Sequence, residues 1–216
     1  MNLNKIAVLT SEESWFVPYA KELVNKLGGN AKFFTKHEDV PEDFEVVFIL
    51  SYFEIIPQKN LEKYKHCLVV HESNLPEGRG WSPLFWQIIE GKNNIPIVLF
   101  EANESADSGD IYLRDEIKLD GHELHNEIRE KQAKKTMELC MKFIINYPSL
   151  VPERQKGNPS FYGKRTRESS ELNPEKSIAE QFNLLRTVNN EKFPAFFIHD
   201  GQKYIISIHK DENTNR

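Results

Sequence analysis

Short apolar runs alternate with helix-period segments along the first half of the chain: Lys5 to Thr10, Trp15 to Leu27, Ala31 to Thr35, then Glu45 to Tyr52. This is the βα rhythm of a parallel sheet. Gly28-Gly29 stops the first helix. The run Val46-Val47-Phe48-Ile49-Leu50 lacks polar alternation, as expected of a central strand covered on both faces, and Cys67-Leu68-Val69-Val70 reads the same way. Ser82 to Gly91 predicts a helix opened by Ser-Pro, because Pro83 suits a first helical turn, and Pro96 to Phe100 predicts a further strand. His122 to Asn146 predicts a long helix.

The pattern then breaks. Pro148, Pro152 and Pro159 with Gly157 and Ser160 predict a linker of about a dozen residues, which puts a boundary near Tyr147 between a body, 1–147, and a C-terminal extension, 148–216. In the extension, Pro174 to Val188 predicts a helix, and the apolar runs flanking Asp200-Gly201 predict a hairpin, Phe196 to His199 against Gln202 to Ile206.

With 39% hydrophobic and 28% charged residues over 216 positions, the chain reads as one soluble globular domain with a small appendage. No run approaches the roughly 20 apolar residues of a membrane span, and the stretch Met1 to Thr10 lacks a signal-peptide apolar run and cleavage site, so a cytoplasmic protein without membrane contact is expected. Cys67 and Cys140 stand far apart without a CxxC, which points to reduced core thiols rather than a disulfide scaffold or a cysteine zinc site. A net charge of −5 does not favour a nucleic-acid partner, although a local basic patch stays open.

The densest polar cluster, His71 to Pro83, follows a predicted strand, and ligands bind beyond the carboxyl ends of strands in open α/β sheets. A second, acidic loop, Glu101 to Asp110, follows the next predicted strand and is expected on the same edge, facing the first. A histidine opposed to a carboxylate suits acid–base work or oxyanion stabilisation. Alone, His71 also reads as a hydrogen-bonded core histidine and Asp107 as a turn residue in Asp-Ser-Gly. His122 and His125 lie three apart without His-Glu-x-x-His or an evident third ligand, so no metal site is assigned.

Three ordered segments resemble the 10-formyltetrahydrofolate-dependent formyltransferases: Ser51-Tyr52-Phe53-Glu54-Ile55-Ile56-Pro57, the loop His71-x-Ser73-x-Leu75-Pro76 with Arg79-Gly80 and Pro83, and Asp107-x-Gly109-Asp110-Ile111. The resemblance covers roughly Ile6 to Tyr147. It implies a Rossmann-like α/β fold, mostly parallel, with the small C-terminal helix-plus-hairpin extension. It further implies N10-formyltetrahydrofolate as cosubstrate and His71 and Asp107 as catalytic residues. The family usually carries an asparagine two residues before the histidine, where this chain has Val69. Asn74 is the candidate for the missing amide donor, a role nothing in the family pattern transfers to it. Folate contacts are expected from Ser51, Tyr52, Phe53, Ile55 and Ile56, with Glu101, Asn103 and Ala106 from the acidic loop.

Within the family, His71 to Trp86 is similar to the formyltransferases of pseudaminic (nonulosonic) acid synthesis, and Lys164-Arg165-Thr166-Arg167 with Asn183-Leu184-Leu185-Arg186 is similar to the C-terminal segment of amino-sugar enzymes. The acceptor so implied is a nucleotide-linked amino sugar, with UDP as the nucleotide. Ser73, Arg79, Gly80, Trp81, Lys164, Arg165 and Arg167 are expected on the acceptor side, the basic group serving either a diphosphate or only a solvated face. Trp81 is assigned to the cleft and Trp86 to the core, and the extension is expected over the cleft. Glycinamide ribonucleotide enzymes carry a glycine-rich phosphate loop where this chain has Thr10-Ser11-Glu12-Glu13-Ser14, and methionyl-tRNA enzymes carry a larger C-terminal part than the 69 residues after Tyr147. A methionyl-tRNA formyltransferase, a formyltetrahydrofolate hydrolase and a non-catalytic folate or sugar-nucleotide binder remain as alternatives, and the oligomeric state, a dimer included, stays open.

Overall fold

β1 (Ile6–Leu9), α1 (Val17–Leu27), β2 (Ala31–Phe34), β3 (Val46–Ile49), the short α2 (Gln58–Leu61) and β4 (His66–His71) follow one another as the βα rhythm predicts. The computed structural model describes residues 3–211; residues 1, 2 and 212–216, at the outer ends of body and extension, lie outside it. After β4 come β5 (Arg79–Gly80), α3 (Pro83–Ile89), β6 (Asn94–Glu101), β7 (Ile111–Lys118) and α4 (His125–Asn146). The extension holds β8 (Phe161–Tyr162), α5 (Ile178–Leu185) and the hairpin β9 (Ala195–His199) and β10 (Gln202–Ile206).

The central sheet has the order β2-β1-β3-β4-β6-β7. The pairings among β1 to β4 are parallel, and β6 and β7 join antiparallel. This is the mixed, mostly parallel α/β sheet expected. One face packs on α1, α3 and α4 through residues such as Val8, Phe48, Leu68, Leu84, Met137 and Phe143. Burying a side chain like Leu68, which is fully enclosed, is worth roughly 2–3 kcal/mol. The other face carries a smaller cluster around Leu9, Phe44, Val47 and Cys67, continued by Leu75, Val98, Phe100 and Ile111.

Two helices begin later than their periodicity suggests. Glu123 accepts hydrogen bonds from the backbone N–H groups of Asp120 (2.7 Å) and Gly121 (3.0 Å), which holds that stretch as a loop and delays α4 to His125. In the extension, Asn173 Oδ1 turns the chain through Glu175 N, and Ser177 and Glu180 form a reciprocal cap, so α5 starts at Ile178 rather than Pro174. Strand β7 carries Arg114, Asp115 and Glu116 at the sheet edge, a charged pattern that hides it from hydropathy. In the hairpin, Asp200 (φ 49°) and Gly201 (φ 77°) both take the left-handed conformation that a two-residue turn of this kind requires.

Candidate active site

Side chains alternate along β4, so Cys67, Val69 and His71 project away from the α1/α4 face, whereas Leu68 and Val70 pack into it. His71 ends the strand and is buried. Its Nε2 lies 2.8 Å from the Gly78 carbonyl oxygen. A carbonyl can only accept, so Nε2 carries the proton and Nδ1 is the nitrogen left for chemistry. Asp107 Oδ1 stands 3.8 Å from Nδ1, too far for a direct hydrogen bond. An incoming amine, which donates to the carboxylate, fits in that gap.

Asp107 does not reach this position by the route expected. β6 runs antiparallel to β4, with Leu68 opposite Glu101, so the acidic loop departs near the start of β4, not beside His71. The rule that loops share an edge at strand carboxyl ends holds only among parallel strands. The loop returns instead by doubling back. A side chain at Gly109 would collide with the Glu101 carbonyl, so only glycine allows this close approach. Asp107 itself sits at φ 55°, an uncommon conformation that aspartate tolerates better than most residues.

Three contacts hold it there. Gly80 N donates to Asp107 Oδ2 (2.9 Å), and Gln155 Nε2 donates to the carbonyls of both Asp107 and Gly109 (2.9 Å each). Gln155 Oε1 in turn accepts from Arg79 Nη2 at 2.7 Å. Gln155 therefore staples the aspartate loop to the histidine loop. The surrounding stretch, read from sequence as a linker, is a strap across the site: Glu153 bridges to Ile111, Ser160 Oγ accepts from Gly78 N (2.9 Å), and β8 pairs with β5. Its prolines break helix and strand periodicity without freeing the chain. No sequence signal singled out Gln155 or Ser160, because a lone glutamine and serine among prolines look like any loop.

The expected folate segment divides. Ser51 bonds Ser14 Oγ (2.9 Å), and Tyr52 and Ile56 pack with Val69 and Ala102 on the face that bears His71. Burial, with Glu54 nearby, pushes the Tyr52 phenol above its usual pKa and keeps it neutral. Phe53 and Ile55 point outward, 53% and 85% exposed. Glu101 is spent elsewhere, accepting from Cys67 N (2.6 Å) and facing His66 Nδ1 (3.1 Å). Asn103 is exposed and accepts from Ser108 Oγ, and exposed Ala106 directly precedes Asp107. Ser73, buried beside Gly78, keeps its hydroxyl enclosed without a hydrogen-bond partner among the described residues. The apolar wall of Tyr52, Ile56 and Val69 fits a flat heteroaromatic ligand.

Asn74 is exposed, and its Oδ1 accepts from Arg114 Nη1 at 3.0 Å. That leaves its Nδ2 alone as a donor. Val69 occupies the family's asparagine position as an apolar part of the wall. On the acceptor side, Gly80 is fixed by its hydrogen bond to Asp107, and half-exposed Trp81 carries Lys164 Nζ 4.9 Å above its ring. Arg165 turns instead to Phe85 (5.6 Å), and Arg167 is exposed, so the three basic residues do not form one cluster. Trp86 is half-buried, stacked on Tyr162, with its Nε1 donating to Gly163 O (2.9 Å). Beyond the strap, α5 docks on α3.

This pairing of a strand-end histidine with an aspartate on a doubled-back loop sits within residues 5–144, which match the family model described as formyl transferase. The chain belongs to the formyl transferase family. Among its relatives, the methionyl-tRNA formyltransferase of Rickettsia massiliae is 31% identical over 173 residues, 79% of this chain and 56% of that protein. The family member described here thus spans about half the length of that relative. Its fold is shared with a methionyl-tRNA formyltransferase from Clostridium thermocellum (TM-score 0.80, 22% identity, covering 97% of this chain and 94% of that one). A 4-N formyltransferase from Francisella tularensis superposes at TM-score 0.72 with 19% identity, covering 98% and 100%. Among the described residues, no helix of this formyl transferase family member is long and apolar enough to cross a membrane.

Proposed function

We propose that the chain transfers the formyl group of N10-formyltetrahydrofolate to the amine of a nucleotide-linked amino sugar, a UDP-linked 4-amino-4,6-dideoxy sugar of pseudaminic acid synthesis. The observation that carries the reading is the 3.8 Å approach of His71 Nδ1 to Asp107 Oδ1 with Nε2 already committed to Gly78. The folate supplies an activated formyl carbon when bound. Attack by the acceptor amine forms a C–N bond and puts charge on the formyl oxygen. Protonated at Nδ1, His71 donates to that oxygen; Asp107 favours the charged imidazole and accepts the proton that the amine loses. Cleavage of the bond to the folate nitrogen then returns a proton to that nitrogen, which balances the step. Ser51, Tyr52 and Ile56 hold the folate, and Ser73, Arg79, Trp81, Lys164 and Arg167 take the sugar nucleotide.

A second reading, a methionyl-tRNA acceptor, draws on the 31% identity to the Rickettsia enzyme. Against it stands a net charge of −5, which repels a polyanion. The deciding experiment incubates the chain with 10-formyltetrahydrofolate and, separately, a panel of nucleotide-linked amino sugars, methionyl-tRNA, or no acceptor, followed by mass spectrometry. A formyl group gained by a nucleotide sugar is expected. Formylated methionyl-tRNA with unchanged sugars, or formate released without acceptor, overturns the assignment.

A further inference from the structure

On the sheet face opposite His71, a cavity of about 160 Å³ opens between α3, α4 and the chain from Arg165 to Phe193. Two guanidinium groups line it, Arg129 and Arg165, with His125 and Phe85. The flat faces of Arg129 are satisfied, its Cζ lying 4.2 Å from the Trp15 ring and 4.4 Å from the Phe85 ring. Its edges are not. Nη1 donates to Gln132 Oε1 (2.8 Å), whereas Nε is enclosed without a partner among the described residues. Arg165 lies over Phe85 and donates to no acceptor among the described residues.

Neither arginine has a carboxylate in ion-pair contact among the described residues; Glu72, the acid whose charge acts on Arg129, accepts from Gln132 (2.7 Å). Burial pushes Arg129 down to about 10, and the charge of Arg165 adds to the fall. Burial likewise lowers Arg165. The same surroundings drive His125 down to about 4, burial first and the Arg129 charge next, so it is neutral at pH 7 and lies flat on Phe85 (5.3 Å, 5°). Two desolvated like charges with unfilled donor edges are costly to maintain, and an anion between them removes that cost.

We propose that this cavity is a phosphoryl-binding site in which Arg129 and Arg165 grip the oxyanion and Ser82 completes the donor set, joined by His125 once the anion has favoured its protonation. The volume is enough for a tetrahedral oxyanion. Guanidinium forks match such an anion edge to edge. The phosphoryl group comes either from the phosphate of a nucleotide or from free phosphate. Binding at this site is independent of formyl transfer, and its test does not use turnover.

Inorganic phosphate is titrated into the full chain against chloride of equal ionic strength, with the His125 ring followed by NMR. A saturable shift is expected, with the His125 pKa rising because an anion favours the imidazolium. Arg165→Gln should bind phosphate about tenfold or more weakly, with Arg165→Lys intermediate, both checked for folding by circular dichroism. Competition by UDP assigns the site to the phosphate of a nucleotide; saturation by phosphate that UDP leaves unaltered assigns it to free phosphate. An unresponsive His125, or folded Arg165→Gln binding phosphate like the parent, overturns the proposal.

Discussion

Nδ1 of His71 stands 3.8 Å from Oδ1 of Asp107 while Nε2 of the same ring is tied to the Gly78 carbonyl. One nitrogen is an anchor and the other is the working atom. Loss of a single oxyanion donor typically costs about 10²–10³ in rate and loss of a general base about 10²–10⁴, so His71→Asn and Asp107→Asn should each lower kcat by about 10²-fold or more. Steady-state kinetics on both variants, with folding verified by circular dichroism, checks this. Turnover near the parent value in both would remove His71 and Asp107 from the chemistry.

Gln155 joins the Asp107 loop to Arg79 through three hydrogen bonds, and it touches neither His71 nor the gap beside it. Its effect on rate is one of position. Misplacement by about 1 Å can cost on the order of 10²-fold, so Gln155→Leu should reduce kcat by roughly 10–100-fold. Hydrogen exchange across residues 103–110 should accelerate in the same variant. Unchanged exchange alongside unchanged kcat would show that the loop holds itself.

Asn74 spends its amide oxygen on Arg114 at the surface. A residue so tethered is a poor substitute for the asparagine that Val69 replaces. Asn74→Leu is therefore expected to lower turnover by less than about tenfold, well short of the cost of a true oxyanion donor. A loss of two orders of magnitude would restore Asn74 to the catalytic set.

His125 bears on stability against pH. Its folded-state pKa, about 4, lies below the ordinary histidine value of 6.5, so the unfolded chain takes up a proton before the folded one does. The stability it confers is complete above pH 6.5 and is lost progressively as pH falls toward 4. The whole loss is of order 3 kcal/mol. Urea unfolding in phosphate-free buffer between pH 7 and 4 should show this slope in the parent chain and a flatter one in His125→Gln. An identical slope in the variant would place the titrating group elsewhere.

The strands β1 to β4 and β6, the helices α1, α3 and α4, and the hairpin at Asp200-Gly201 were legible from the residues, and the candidate pair His71 and Asp107 was named through the ordered motifs that resemble the family. Each rests on local chemistry: apolar periodicity, prolines and glycines at turns, and short motifs in a fixed order. Three things were decided only by tertiary structure. Strand direction is the first, since Asn94–Glu101 has the same apolar pattern whichever way it runs, and its antiparallel placement sends the acidic loop back to His71 by a different path. The strap is the second: Gln155 and Ser160 act through backbone groups far along the chain, and hydrogen bonds to a carbonyl or an N–H carry no trace in sequence. The third is the division of the basic residues. Lys164 rests over Trp81 while Arg165, the next residue, turns to Phe85 beside Arg129, and only three-dimensional packing fixes which way each side chain leaves an irregular segment.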